Sequence, residues 1–492
     1  MITIDQLRLK IKQDIADWDP ADLPVATHVT QNLLHLLDLV NGLGAVGTDA
    51  PPHYLILAYD HAEKLMKTSI SLKTLSDWVI QNFEPSIPVL YDKEFNNVMG
   101  GFLHGAVQGR HRRVVIDETR NRFYVAGAFD TYKGAPLNCL ACFFLDGSPD
   151  EAFNSHAPIF GCYLPNLSYS GALLISLQSD GKPVLAGYDS LMYPYVTDGN
   201  YILFGRADVD GTIDEAYVAA IGSGLGIGQG YYPRGMTVQP HDDKLVITGD
   251  FWNYNGTPVA RIVRILPNGA PDLPFIANCG TGFDGPMYNI MTQPDGKLVM
   301  SGDGFTFNGV AIPRMLRLNG DGTLDTAYMA NIGVGPNNTT YHGCLQSDGK
   351  AVLCGSFTTF SGVSAPGVAR INTDGTIDAA FCANLGTGAN ATVWGIAQQP
   401  DGKLIVVGSF ATFNGLAHPG LVRLNADGTL DTAYNTSLGT GFTGMVGTVA
   451  VQSNGWIIAA GSFTAFNGVA TPAGIIRLRP NMPPPNTITS PW

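Results

Sequence analysis

Charge is scarce in this 492-residue chain, where only 14% of residues are Asp, Glu, Lys or Arg. Basic residues are the scarcer kind, 28 Lys and Arg against 41 Asp and Glu, for a formal net charge of −13. That balance argues against a nucleic-acid or anionic-membrane partner, because phosphate binding relies on clustered Lys and Arg. The one basic cluster, Arg110-His-Arg-Arg113, is short and reads as a solvated entry to the first repeat of the chain. Seven cysteines are too scattered to form a disulfide framework. Cys139 and Cys142 make a C-x-x-C with no second pair nearby, and both read as small core residues of a strand. No apolar run approaches the roughly 20 residues of a membrane span. The first residues, Met1-Ile-Thr-Ile-Asp-Gln6, show neither a basic n-region nor an apolar h-region, so the expectation is a soluble protein made in a reducing cytoplasm.

What is abundant is glycine, 59 residues of it, and repetition. The box Gly408-Ser-Phe-Ala-Thr-Phe-Asn-Gly415 has its first Gly repeated at Gly302, Gly355 and Gly461, always 53 residues apart, with looser copies at Gly127, Gly187 and Gly249. A fixed period of this length, filled with strand and turn signals, predicts an array in which each unit buries its faces against its neighbours.

Residues 1–87 differ in kind. Ile4, Leu7, Ile11, Ile15 and Trp18 follow a capping-box spacing at Thr3 as one helical stripe, and Val29, Leu33, Leu36, Leu37 and Val40 make a second, wider face. Shorter helical patterns over 60–67 and 71–83 precede Pro85 and Pro88. A small all-α docking or oligomerisation domain is expected there, and a Pro-rich tail over 481–492.

Between them, over 88–480, each unit reads as four antiparallel strands. In the best-preserved copy these are Val393-Trp-Gly-Ile-Ala-Gln398, Leu404-Ile-Val-Val-Gly-Ser-Phe410, Leu421-Val-Arg-Leu-Asn425 and Leu430-Asp-Thr-Ala-Tyr434, with Pro400-Asp-Gly-Lys403 and Asp427-Gly428 as turns. Seven such units predict a mainly β fold, a seven-bladed β-propeller of ~53-residue four-stranded repeats. Gln399-Pro-Asp-Gly-Lys403, Gly408-Ser-Phe410 and Arg423-Leu-Asn-Ala-Asp-Gly-Thr-Leu-Asp431 resemble the bacterial repeat family called delta-60. The resemblance is strongest from about residue 230 onward and weakest in the second unit, where Gly187-Tyr-Asp-Ser-Leu-Met-Tyr-Pro194 replaces the box. It implies a scaffold, commonly of secreted or surface bacterial proteins, and carries over no catalytic residue.

A second motif, Asp-x-x-aromatic, runs out of step with the box. Its first copy, Asp92 with Phe95, precedes the first box, whereas the last box is followed by Ile475-Ile-Arg-Leu-Arg479 and no such motif. An open ring would leave unpaired strand edges, so a strand over 89–95 is expected to complete the last blade, with Asp92 and Phe95 as the closure residues.

The Asn-x-Asp-Gly segments, such as Asn425-Ala-Asp-Gly428, share residue types with calcium loops but put Gly at position four and lack a closing Glu, so they read as turns. No metal or cofactor site is expected. His241, His342 and His418 occupy unrelated repeat positions, and no catalytic triad or carboxylate pair can be placed. Candidate binding residues sit instead on the longer loops of one face: Tyr193, Tyr195, Trp252, Tyr254 and Asn414, since aromatic rings beside Asn and Thr suit protein or carbohydrate contact. The expected function is a non-enzymatic structural protein of a phage virion, tail or related injection particle. Residues 1–87 would dock to other particle proteins, and the propeller would project toward a host surface protein or glycan. A bacterial surface or secreted adhesion module is one alternative, and a propeller hydrolase or lyase another.

Overall fold

Apolar, β-branched runs such as Leu404-Ile-Val-Val-Gly408 favour a pleated strand, and a run without alternation belongs where both faces are covered. All five residues are indeed buried. A computed structural model describes residues 90–99, 113–127, 131–132, 135–136, 140–156, 174–187, 204–225, 232–471 and 474–480. The chain divides into two units, Met1–Val89 and Leu90–Trp492. The helical domain expected over 1–87, the tail over 481–492, and Tyr193 and Tyr195 all lie outside the described residues.

Leu404–Gly408 is the middle strand of a three-stranded antiparallel sheet, between Val393–Gln398 and Leu421–Leu424. Among the described residues, seven such sheets have middle strands of four or more residues, Arg122–Ala126, Pro183–Ala186, Leu245–Asp250, Leu298–Gly302, Ala351–Gly355, Leu404–Gly408 and Ile457–Gly461, and a smaller eighth joins Phe442–Thr443, Ala465–Phe466 and Val469–Ala470. The first strands of successive sheets pack beside one another in chain order, and that of the seventh, Val446–Val451, meets that of the first, Arg113–Asp117. The fold is thus mainly β, a set of propeller-like repeats, and its core is the apolar filling between neighbouring sheets.

The glycine of the box has a steric cause. A Cβ on Gly408 would stand 2.4 Å from the carbonyl oxygen of Thr392, just before the paired strand. There the register shifts between Val393 and Gly395, leaving Trp394 as a bulge residue.

The expected fourth strand is replaced by a helix. After one bridge residue, Leu430 opposite Leu424, the chain turns into the helix Thr432–Ser437, capped by Asp431, whose Oδ1 accepts from the Tyr434 N–H at 3.3 Å. The same cap opens Thr326–Ile332, Ala379–Asn384 and their counterparts. An Asp poised to cap the N–H three residues on, followed by Ala-containing sequence of poor β propensity, favours the helix. The N-terminal strand expected over 89–95 is corrected in the same way. Tyr91 makes a single bridge to Leu478, and Lys93–Met99 is a helix with Phe95 fully buried.

Candidate functional site

Each repeated Asp does more than cap a helix. In the sixth sheet, Arg423 Nε donates to Asp431 Oδ2 at 2.9 Å and Lys403 Nζ lies 2.7 Å from the same oxygen. The guanidinium carbon sits 3.6 Å from the Tyr434 ring centroid, and Nη1 donates to the carbonyl of Pro480, just past the third strand of the seventh sheet. One arginine therefore joins a carboxylate, an aromatic face and the next sheet. The same crossing bond runs from Arg206 to Pro267 O at 2.9 Å, from Arg264 to Gly320 O at 2.5 Å, from Arg317 to Thr373 O at 2.8 Å and from Arg370 to Ala426 O at 2.5 Å. Burial would raise the carboxyl of Asp325, but Lys297, the Tyr328 N–H and Arg317 outweigh it and hold Asp325 at about 2.

The first and seventh sheets use variants of this clamp. Cys142 stands on the third strand of the first sheet, and Arg122 from the middle strand takes over, 2.9 Å from Asp150 and 2.6 Å from Val209 O in the second sheet. In the seventh sheet, Arg477 Nε pairs with Asp92 at 2.6 Å, stacks 4.4 Å from the Phe95 ring and donates to Leu145 O of the first sheet. Asn96 Oδ1 accepts from Arg477 N at 3.0 Å, as Asn435 does from Arg423 N at 2.7 Å. Asp92, Phe95 and Asn96 thus do for the last sheet what Asp431, Tyr434 and Asn435 do for the sixth. The arginine had a sequence signal: in five units it stands eight residues before the Asp, from Arg206 and Asp214 to Arg423 and Asp431.

The Asp-Gly turns occupy the opposite end of the strands from the box. In them, Asp427 Oδ1 accepts from Thr429 N at 3.0 Å and from its Oγ1 at 2.7 Å, and Asp321 and Asp374 are bonded in the same pattern. These hydrogen bonds lower the Asp427 pKa, the side-chain bond from Thr429 foremost. The turn geometry thereby accounts for one carboxylate oxygen in each.

At the box end, Asn414 and Gly415 form a hairpin turn with φ of +49° and +73°, as a type I′ turn requires. Asn414 Oδ1 accepts from Thr387 N at 3.2 Å, so its side chain ties the hairpin to the preceding link. Tyr254, expected on the binding face, is corrected: it is fully buried, at the position of Phe307, Phe360, Phe413 and Phe466, and its hydroxyl donates to Gly269 O at 2.7 Å. Trp252 does face solvent, 48% exposed, with the Arg261 guanidinium carbon 4.6 Å from its ring.

The bulges add residues that the sequence reading missed. Tyr288, Tyr341 and Trp394 stand at equivalent bulges of three successive sheets, with ring centroids 6.1 and 4.6 Å apart. Tyr288 OH donates to Asp303 Oδ2 at 3.0 Å, and burial together with the Asp303 charge pushes the phenol up to about 12, keeping it a donor. Trp394 Nε1 donates to Ser409 Oγ at 2.8 Å. Arg234, at the bulge of the third sheet, lies 5.9 Å from the Tyr288 ring and pairs with Asp250 at 3.2 Å. A half-buried aromatic row with fixed donors and acceptors along it thus crosses one end of the sheets.

The chain carries repeats of the β-propeller domain of unknown function DUF5122. The matched segments are 121–153, 241–275, 293–328, 346–381, 399–434 and 452–481. Five of these DUF5122 segments end on the aromatic of the Asp-x-x-aromatic motif, from Phe153 to Tyr434, whereas the last ends at 481 because its aromatic, Phe95, lies at the other end of the repeats. The second sheet lies outside the matches, in line with its altered box. No curated protein matches the chain.

Among solved structures, the chain is similar to the WD40 β-propeller domain of Doa1, at 13% identity and a TM-score of 0.40, over 76% of this chain and 94% of that one. It is similar to YCF48 bound to D1 peptide, at 11% and 0.36, over 75% and 95%. A gluconolactonase of Xanthomonas campestris matches at 12% and 0.32, over 62% and 84%. At such identities and scores their ligands and activities do not transfer to this chain.

Proposed function

We propose that this chain is a non-enzymatic interaction protein, a seven-bladed propeller that presents the box end of its sheets to a partner. The observation that carries the reading is the contrast between the two ends. The Asp-Gly end consists of short, near-identical turns whose carboxylates bond their own loops. The box end carries Tyr288, Tyr341 and Trp394, and the exposed Trp252 in the box of the third unit, the residue types that anchor interfaces. The repeated carboxylates that an enzyme could have used are taken up as helix caps and arginine partners. Desolvation pushes His342 down to about 3, and Arg113 adds to that shift, which leaves the imidazole neutral near pH 7.

The setting we propose is a phage virion, tail or related injection particle assembled in the host cytoplasm, with residues 1–87 as the attachment part. The change in sequence character near residue 88 supports a separate attachment part, and the delta-60 resemblance supports a scaffold role for the repeats. The test is to isolate the native protein from its source. Stoichiometric copurification with capsid or tail proteins is expected. Recovery as a free secreted or cell-surface protein would replace the particle setting with adhesion.

A further inference from the structure

Within the repeat grammar, the third and fourth sheets depart together at three matched positions. After the box glycine, Asp250 and Asp303 stand where later units have Ser356, Ser409 and Ser462. Two residues on come Trp252 and Phe305, where later units have Thr358, Ala411 and Thr464. Just before the third strand, Arg261 and Arg314 stand where later units have Gly367, Gly420 and Gly474.

The last exchange is unfavourable for the backbone. Arg261 and Arg314 hold φ of +63° and +57°, the left-handed region that Gly367, Gly420 and Gly474 occupy at +81°, +81° and +58°. A long side chain with a Cβ is disfavoured there, and strain kept in two successive repeats calls for a compensating use. The structure shows where the side chains go. The Arg314 guanidinium lies 4.6 Å from the Phe305 ring and donates to Asp303 at 2.7 Å, and Arg261 lies 4.6 Å from the Trp252 ring and 3.8 Å from Asp250. Each ring lies beside a guanidinium, that of Arg314 hydrogen-bonded to Asp303 and that of Arg261 in a longer ion pair with Asp250, and the two aromatic residues are about half exposed, 48% for Trp252 and 53% for Phe305.

We propose that Trp252 and Phe305, with their Arg and Asp partners, form a carbohydrate-binding platform for a pyranose glycan. The proposal rests on the reading of the box end as the interaction face and names its ligand class. A pyranose ring has an apolar C–H face and an edge of hydroxyls, which fits a flat aromatic surface bordered by fixed donors and acceptors. A purely apolar peptide side chain would cover the rings without using these polar groups, whose orientation is already fixed by Tyr288 and Thr339 on Asp303 and by Arg234 on Asp250. Stacking the guanidinium behind each ring fixes its orientation before binding, which lowers the ordering cost.

The full-length protein should be applied to a printed array of neutral hexose, N-acetylhexosamine and uronic-acid oligosaccharides, and the best ligand titrated by calorimetry. The wild type is expected to bind. The double variant Trp252→Ala/Phe305→Ala should lose at least about tenfold in affinity, the effect of removing stacked aromatic anchors. The pair Arg261→Gly/Arg314→Gly should raise Tm by about 1–2 °C through relief of the left-handed backbone, while weakening binding. Glycan binding untouched by Trp252→Ala/Phe305→Ala would overturn the site, and a lowered Tm in the Arg→Gly pair would make the arginines structural and overturn it too. A wild type silent on the array refutes the glycan class. If that silent protein still captures a peptide or protein partner through Trp252 and Phe305, the interaction face stands without it.

Discussion

Asp325 and Asp374 are both acidic residues of one repeat grammar with different physical roles. Asp325 caps a helix, accepts from Lys297 at 2.9 Å and from Arg317 Nε at 2.9 Å, and is buried; Asp374 bonds its own exposed turn. Asp325→Ala is expected to cost roughly 3 kcal/mol, from a lost cap and two cations left uncompensated. Asp374→Ala should stay below about 1 kcal/mol. Urea unfolding of the two variants measures the difference, and equal losses would contradict the assigned roles. The acid limb follows from the same residues. Burial raises the carboxyls of Asp214 and Asp325, yet their partners win and hold both at about 2, below the ordinary 3.8. A depressed folded pKa contributes stability that is present above the unfolded value and lost as pH falls through the folded one. Stability should therefore fall between about pH 4 and pH 2, and a melting series across that range reads it. In the sequence the Asp was plain, because its spacing recurred. Its arginine partner was not read, because an arginine in a strand pattern looks like an ordinary solvated position until the helix after its own strand supplies Tyr328 and the neighbouring unit supplies Thr373 around it.

Hairpins and strands were the most legible elements. Asn414-Gly415 lies between short apolar segments, and only residues tolerant of positive φ suit both positions, so the turn type follows from local chemistry. Asn414→Gly keeps the turn but removes the acceptor of Thr387 N and should cost up to about 1 kcal/mol, whereas Asn414→Val should cost about 2 kcal/mol or more, because a β-branched residue is also strained at φ +49°. The fourth strand was misread for a physical reason: a stretch of five or six residues with one apolar anchor carries little periodicity, and Asp capping then decides for helix. Tyr254 was misassigned because an aromatic beside Asn gives no sign of its direction in sequence. Tyr254→Phe tests the correction. It should destabilise by about 1 kcal/mol by orphaning the Gly269 carbonyl, with no effect on any ligand bound at the box end.

At the scale of the whole molecule, the offset between the two repeating motifs was enough to predict that the ends of the repeats meet. The chemistry of the meeting was not legible, because it depends on contacts across more than 380 residues, such as Arg477 with Asp92. The Asp92 backbone N–H donates to Arg477 O at 3.1 Å, Arg479 N–H donates to Leu90 O at 2.8 Å, and Tyr91 stacks 6.4 Å from Phe466. The closing segment is thus a short helix with a bridge residue, inserted into a clamp that other sheets fill from their own sequence. Phe95→Ala should then cost roughly 3–5 kcal/mol, as expected for a fully buried aromatic. A sharper test compares two shortened chains, one beginning at Leu90 and one at Gly100. Both lack the first unit, so their difference isolates the closing helix. Removing it strands Arg477 beside an empty aromatic position and exposes the edge of Ile475–Leu478. The chain from Leu90 should unfold in one cooperative transition, and the chain from Gly100 should melt lower and more broadly, with a tendency to associate through the opened edge. Superimposable melting curves would mean that the first and last repeats are held together by the packing of their first strands alone, and that the clamp between Arg477 and Asp92 contributes nothing to joining them.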